Sequence, residues 1–212
     1  MALYLDSAII EEARAVSQWG WVKGITTNPT LLAKSSLSPA ETLKQLKQTT
    51  SGEICYQLTA SDLDGMITEA QAAFELLGTQ TVLKIPATAI GFQAVASLSP
   101  DIACSVTAIY SAAQAAVAME AGAKYAIAYV NRATRLLGDG IKLVEEMSAV
   151  LHRSNTTILA ASIKSPEEAA ATLKAGATHL TLPLDILTAI TTHELSEKTV
   201  EEFAQNGIGL KG

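Results

Sequence analysis

A lysine stands inside the apolar, β-branched run "TVLKIPAT" of residues 81–88. Val82, Leu83 and Ile85 give this run the pattern of a strand buried on both faces, where an ammonium group loses its hydration unless a partner stabilises it. Desolvation of that kind favours the neutral amine, a nucleophile that forms a Schiff base with a carbonyl compound. Two structural roles are also open to Lys84: snorkelling out of the sheet, or pairing with a carboxylate such as Asp6.

Other polar side chains stand at the ends of other β-like runs: Asp6, Thr26, Thr27, Asn28, Gln57, Ser105, Thr107, Tyr129, Asn131, Arg132 and Ser162. Taken singly, most of them have a plain structural role. Asp6 can cap the helix that begins in "SAII", and Asn28 before Pro29 is a common turn or helix start. Gln57 and Thr107 can satisfy buried backbone groups, and Tyr129 can be a core ring with its hydroxyl at the rim. Arg132 can be a solvated loop residue, and Ser162 a small residue closing a strand. As an ensemble they would be costly core filling, and they suit the site of a polyhydroxylated ligand.

The elements that must position these groups follow from hydrophobic period. Eight runs read as strands: residues 3–6, 24–27, 53–58, 81–86, 102–107, 125–130, 157–162 and 179–184. Ala-rich stretches of helical period lie between them, which is the signature of βα units around a parallel sheet. Helices are expected from Ser7, at Asp62 to Leu77, Ser111 to Ala121, Ile141 to His152, and Ser165 to Ala175; the last opens "SPEE", with a cap, an early proline and acids at the positive end. Ala-Gly-Ala recurs in "EAGAKYAIAYV" and "KAGATHLTLPL", where glycine suits a left-handed helix C-cap.

Eight such units in 212 residues with short connections predict a single (β/α)8 barrel of the α/β class spanning residues 1–212, with a C-terminal helix. An open doubly wound sheet is the alternative, but neither G-x-G-x-x-G nor the P-loop pattern is present to favour it. In a barrel, catalytic groups project from the C-terminal ends of several strands, where the polar residues above would stand.

A net charge of −6 argues against nucleic acid as the main partner, because a phosphate backbone selects clustered Lys and Arg. Cys55 and Cys104 lack metal-type spacing and read as reduced, buried thiols. His152, His179 and His193 fall at element edges without ligand spacing, as surface or satisfied core residues. Trp19 and Trp21, flanking Gly20, read as packing or subunit-contact residues. No metal site or membrane span is expected, and an acidic N-terminus without a signal-type basic region predicts a cytoplasmic protein.

The chain resembles one known family, the class I fructose-6-phosphate aldolases and small transaldolases. The resemblance runs through "LYLDS", "GITTNPTLLA", "DGMITEA", "VLKIPAT", "TAIYSAAQAAVAMEAGAKYAIAYVNR", "LAASIKSPEEA" and "THLTLPLDIL". It implies a (β/α)8 barrel without metal or organic cofactor, in which Lys84 forms the Schiff base, Asp6 handles protons and Asn28 hydrogen-bonds the ketose. It further implies that Arg132 and Ser162 hold the sugar phosphate, with Thr26 and Asn131 beside the substrate. Small transaldolases usually carry glutamate and phenylalanine where this chain has Gln57 and Tyr129, so the resemblance is nearer to the aldolases at those two positions.

What the resemblance implies is cleavage of fructose 6-phosphate to dihydroxyacetone and glyceraldehyde 3-phosphate, with Tyr129, Gln57 and Thr107 managing the proton that releases dihydroxyacetone. The alternatives are a transaldolase moving that unit to erythrose 4-phosphate, and a non-catalytic phosphosugar-binding barrel. The partners implied are phosphorylated ketoses, small aldehydes and further copies of the chain in a pentamer or decamer. The stretches "ATRLLGDG" after Arg132 and "CSVTAIY" around Thr107 differ from the residues typical of the family.

Overall fold

Successive residues of a strand face opposite sides of the sheet, so a run that is apolar at every position must be covered on both faces. Val82, Leu83 and Ile85 are all fully buried. In a computed structural model, which describes residues 1–210, this is achieved by closing the sheet on itself and wrapping it in helices.

Eight parallel strands form a closed barrel in chain order: β1 (Ala2–Asp6), β2 (Val22–Thr26), β3 (Glu53–Gln57), β4 (Thr81–Pro86), β5 (Cys104–Ile109), β6 (Tyr125–Ala128), β7 (Thr157–Ala160) and β8 (His179–Leu182), the last pairing with β1. Between and after them run α1 (Ile10–Ser17), α2 (Pro29–Leu32), α3 (Pro39–Thr49), α4 (Leu63–Leu77), α5 (Ala89–Leu98), α6 (Ala112–Glu120), α7 (Val130–Leu137), α8 (Gly140–Val150), α9 (Pro166–Lys174), α10 (Leu184–Ala189) and α11 (Glu194–Asn206). The architecture is the (β/α)8 barrel expected from the alternation of runs. Two short helices, α2 and α7, are inserted directly after β2 and β6, ahead of the helices that lead to β3 and β7.

All eight expected strands are present, with shifted ends. The chain at Ile102 is still bonded back to the Leu98 carbonyl (2.9 Å), which delays β5 to Cys104. Strand β8 stops at Leu182 because Pro183 becomes the N-cap position of α10. Asp62, Ser111 and Ser165 cap α4, α6 and α9 as expected, each accepting from the amide three residues on. Ser7 does not cap α1: its hydroxyl accepts from the Ile9 amide (3.1 Å) and donates to Glu12 (2.5 Å), and the helix starts three residues later at Ile10. Gly122 (φ 86°) and Gly176 (φ 106°) adopt the left-handed conformation anticipated from the Ala-Gly-Ala echo.

Two packing layers result. Alternate strand residues such as Leu5, Ile25, Leu83 and Ile85 meet the helices in the larger core, while Cys55, Val82, Ile127 and Leu159 fill the barrel interior. Trp19 and Trp21 stack on each other, ring centroids 5.1 Å apart, and lean on the larger core. Helix α11 stands apart from both: none of its residues is buried, and Leu195, Val200 and Phe203 are 64, 64 and 69% exposed. Among the described residues no helix is long and apolar enough to cross a membrane.

A polar cluster closes the barrel at the N-terminal end of the strands. The Tyr4 and Tyr125 hydroxyls donate to Glu53 Oε2 at 2.7 and 2.8 Å, and Lys124 pairs with the other carboxylate oxygen. The half-buried His179 ring packs edge-on against both tyrosines, and its buried Nδ1 finds no partner among the described residues, so this histidine is neither a plain surface residue nor a satisfied core one. Burial pushes the Glu53 carboxyl up, but the bonds from Lys124, Tyr4 and Tyr125 outweigh it and hold the carboxyl below its ordinary 4.5.

A carboxylate whose folded value is lowered contributes stability that is present above its unfolded value and lost as pH falls through the folded one. Glu53→Gln is therefore expected to cost about 1–3 kcal/mol at neutral pH. Thermal denaturation should show that gap narrowing below the ordinary carboxylate value of 4.5, and a pH-independent gap would refute the assignment.

Candidate active site

The same period of two that fills the barrel interior with Cys55, Val82 and Ile127 puts Gln57, Lys84 and Tyr129 one step further along their strands. With Asp6 of β1 they open into a cavity of about 450 Å³ at the C-terminal end of the strands, a size suited to a small ligand. Asn28, Arg132, Ser162 and Lys164 line it as well. Seven of the residues singled out in the sequence thus share one cavity, while Thr26, Thr107 and Asn131 stand behind it.

Lys84 is 2% exposed, and its Nζ donates to the Thr27 carbonyl at 2.9 Å. The ion pairs among the described residues are Lys124–Glu53 and Lys198–Glu194, so Lys84 neither snorkels to solvent nor pairs with Asp6. Its backbone lies opposite Gln57 in the β3–β4 register. The amine is therefore held by one neutral acceptor in a dry wall, with the cavity as its open side.

Asp6 caps no helix. Its Oδ1 accepts from the Thr26 hydroxyl at 2.8 Å, and Thr26 is joined to the Thr181 hydroxyl at 2.6 Å. Thr26 is fully buried and acts as a prop for the carboxylate. Asn28 has two roles: its Oδ1 caps α2 by accepting from the Leu31 amide (3.0 Å), and the residue also lines the cavity.

On the opposite side, the Thr107 hydroxyl donates to the Tyr129 hydroxyl at 2.8 Å. A register shift between Val106 and Ile109, with Ala108 at φ 59°, bulges β5 next to this contact. Bulges of this kind re-aim side chains at barrel rims. Beyond the last ladder residues, the Val130 amide donates to the Ala161 carbonyl and the Asn131 amide to the Ser162 carbonyl, both at 2.9 Å. This zips the start of α7 to the end of β7 and sets Arg132 beside Ser162, which is itself held at φ 59°. The Arg132 guanidinium lies 5.0 Å from the centre of the Tyr129 ring.

The Asn131 side chain turns to Glu168 (3.4 Å), whose other oxygen accepts from the Lys164 amide at 2.6 Å. Lys164 was not anticipated. Its position two residues after Ser162, in the same loop at a strand end, was the available signal. Arg132, Ser162 and Lys164 together offer a planar cationic fork, a hydroxyl and a second cation, a set suited to a phosphate group.

Chemically, the arrangement provides a dry primary amine, a propped carboxylate about the same cavity, a tyrosine hydroxyl in a hydrogen-bonded pair, and a cationic flank. Those are the parts a Schiff-base reaction on a phosphorylated carbonyl compound requires.

Comparison with known proteins points to one family. Residues 3–210 match the family described as Transaldolase/Fructose-6-phosphate aldolase. A probable transaldolase of Kosmotoga olearia is 35% identical over 206 residues, covering 96% of this chain and 94% of that protein. One from Symbiobacterium thermophilum is 33% identical over 215 residues, covering 100% and 99%. Among solved structures, mandelate oxidase superposes with a TM-score of 0.63 at 19% identity; the match covers 87% of this chain but only 65% of that protein, and it supports the barrel fold alone. The near-complete coverage by one family leads to a single assignment: the chain belongs to the transaldolase/fructose-6-phosphate aldolase family.

Proposed function

We propose that the protein is a class I aldolase that reversibly cleaves fructose 6-phosphate to dihydroxyacetone and glyceraldehyde 3-phosphate. The observation that carries this reading is the buried Lys84 amine, tied to a single carbonyl and open to the polar cavity that Tyr129 and Gln57 also line.

The amine adds to the C2 carbonyl of the ketose, and loss of water gives the imine, with Asp6 taking and returning protons at nitrogen and oxygen. The protonated imine then draws the C3–C4 electron pair toward itself as Asp6 takes the proton of the C4 hydroxyl, whose oxygen becomes that of the leaving aldehyde. Glyceraldehyde 3-phosphate leaves, its phosphate having been held by Arg132, Ser162 and Lys164. Lys84 is left carrying a three-carbon enamine. Tyr129, bonded to Thr107, delivers a proton to the enamine carbon through a water held by Gln57. Addition of water to the resulting imine releases dihydroxyacetone and restores the amine, and the proton taken from the C4 hydroxyl returns through water to the Tyr129 oxygen.

A second reading rests on the relatives, which are named probable transaldolases. In that reaction the same enamine attacks the aldehyde of erythrose 4-phosphate and makes a seven-carbon ketose phosphate. Gln57 and Tyr129 favour the aldolase, because the resemblance associates glutamate and phenylalanine at those positions with transfer. No cofactor enters either scheme, and we place the enzyme in the cytoplasm. We also place α11 against a neighbouring subunit of a homo-oligomer, since its apolar residues find no cover within the described chain.

Borohydride added with fructose 6-phosphate should fix a mass increment on the peptide containing Lys84, and Lys84→Met should lose on the order of 10⁴ or more in rate. Absence of the increment, with an active Lys84→Met protein, would sink both readings. Tyr129→Phe is expected to slow release of free dihydroxyacetone by about 10²–10⁴ while transfer to erythrose 4-phosphate falls less. An absolute need for the acceptor in the unaltered protein would instead establish the transaldolase. Sedimentation equilibrium should give a pentamer or decamer that deletion of residues 194–212 reduces; a monomer at all concentrations rejects that placement of α11.

A further inference from the structure

Gln57 emerges from the end of β3 between two cavities. One is the active-site cavity; the other, of about 430 Å³, is bounded by α2, the start of α3 and the β3 side chains Tyr56 and Gln57. The Gln57 amide is bonded to no described residue, so the direction it takes depends on the backbone to either side.

Up to Leu58 that backbone is held by the β3–β4 ladder, and just beyond it the chain is tied down by one carboxylate. Glu69, in α4, accepts from the Tyr56 hydroxyl (2.7 Å), the Thr59 amide (2.9 Å), the Thr59 hydroxyl (3.0 Å) and the Ala60 amide (2.9 Å). The Leu58 amide donates to the Lys84 carbonyl (2.9 Å). Residues 56, 58, 59 and 60 are therefore all fixed, and Gln57 alone among them presents a free side chain to the site. Capping of α4 does not explain Glu69, because Asp62 already performs that task through the Gly65 amide (2.9 Å). Burial pushes the Glu69 carboxyl up, but its donors from Tyr56, Ala60 and Thr59 outweigh that and keep it below its ordinary value, so it accepts as a carboxylate at neutral pH.

We infer that Glu69 is a positioning residue: it latches segment 56–60 so that the Gln57 amide faces the active-site cavity, and so sets how often the enamine is protonated and released rather than passed to an aldehyde. The inference rests on the aldolase reading, in which Gln57 holds the water that relays the proton. Removing the latch leaves Lys84, Asp6 and the phosphate flank in place and lets Gln57 swing toward the neighbouring cavity.

The test measures three quantities in the full-length protein: the borohydride-trapped adduct at Lys84, free dihydroxyacetone, and the transfer product formed with erythrose 4-phosphate. Glu69→Ala is expected to lower the ratio of free dihydroxyacetone to transfer product by about tenfold, with trapping at Lys84 within about twofold of the unaltered protein. Glu69→Gln, which keeps an acceptor oxygen, should recover part of the ratio. Should Glu69→Ala fold poorly, Tyr56→Phe removes one donor while keeping the ring, and should move the ratio in the same direction by about two- to threefold.

An unchanged ratio in both Glu69→Ala and Tyr56→Phe overturns the latch. So does a parallel fall of adduct and both products, which would mark Glu69 as a general structural residue. An unaltered protein that gives no adduct, or an adduct but no free dihydroxyacetone, overturns the aldolase reading itself and the inference with it.

Discussion

The hydrogen bond from the Lys84 amine to the Thr27 carbonyl sits where the barrel wall would otherwise be wholly apolar. A long basic side chain pointing into a closed sheet has two needs: an acceptor, so that its polar end is not stranded, and, for the chemistry proposed for it, an opening. The Thr27 carbonyl meets the first without adding charge, and the cavity meets the second. The other polar residues are arranged around those two needs. Thr26 and Thr181 prop Asp6, Thr107 props Tyr129, and the strand-end bonds from 130 and 131 bring Arg132 to Ser162.

Between this polar end and the polar floor lies a layer of Cys55, Val82, Ile127 and Leu159. The two ends have different tasks. At the floor, Tyr4, Glu53, Lys124 and Tyr125 satisfy one another, and closure needs nothing further. At the site, the Gln57 side chain finds no partner among the described residues, and Asn28 commits only its oxygen to a cap. Bonding that is complete at the floor but for the His179 Nδ1, and spare capacity at the other end, gives the barrel a rigid frame beneath side chains that keep polar atoms uncommitted.

Much of this was legible in the sequence because the physical signals were local. Strand runs buried on both faces announce a closed or doubly covered sheet, and polar residues at the ends of those runs singled out Lys84, Gln57 and Tyr129. Ser7 misled because a serine before an apolar stripe looks like a cap whether its hydroxyl reaches the third amide on or, as here, the second. Glu69 and Lys164 carry no local signature: one is a helix carboxylate reaching back across a loop, the other a lysine near a strand end, and only the folded chain shows what each faces. Thr26 and Asn131 were placed in the right neighbourhood, but a strand position does not tell a prop from a contact.

Cys55, in the middle layer of the barrel, has no solvent exposure, and burial pushes its thiol up to about 12. A thiol so placed forms no thiolate at neutral pH and meets no reagent while the barrel is closed. The rate at which it can be alkylated is then set by how often the eight strands part. The chain thus carries an internal clock of barrel opening, one set by the frame and not by the polar site above it.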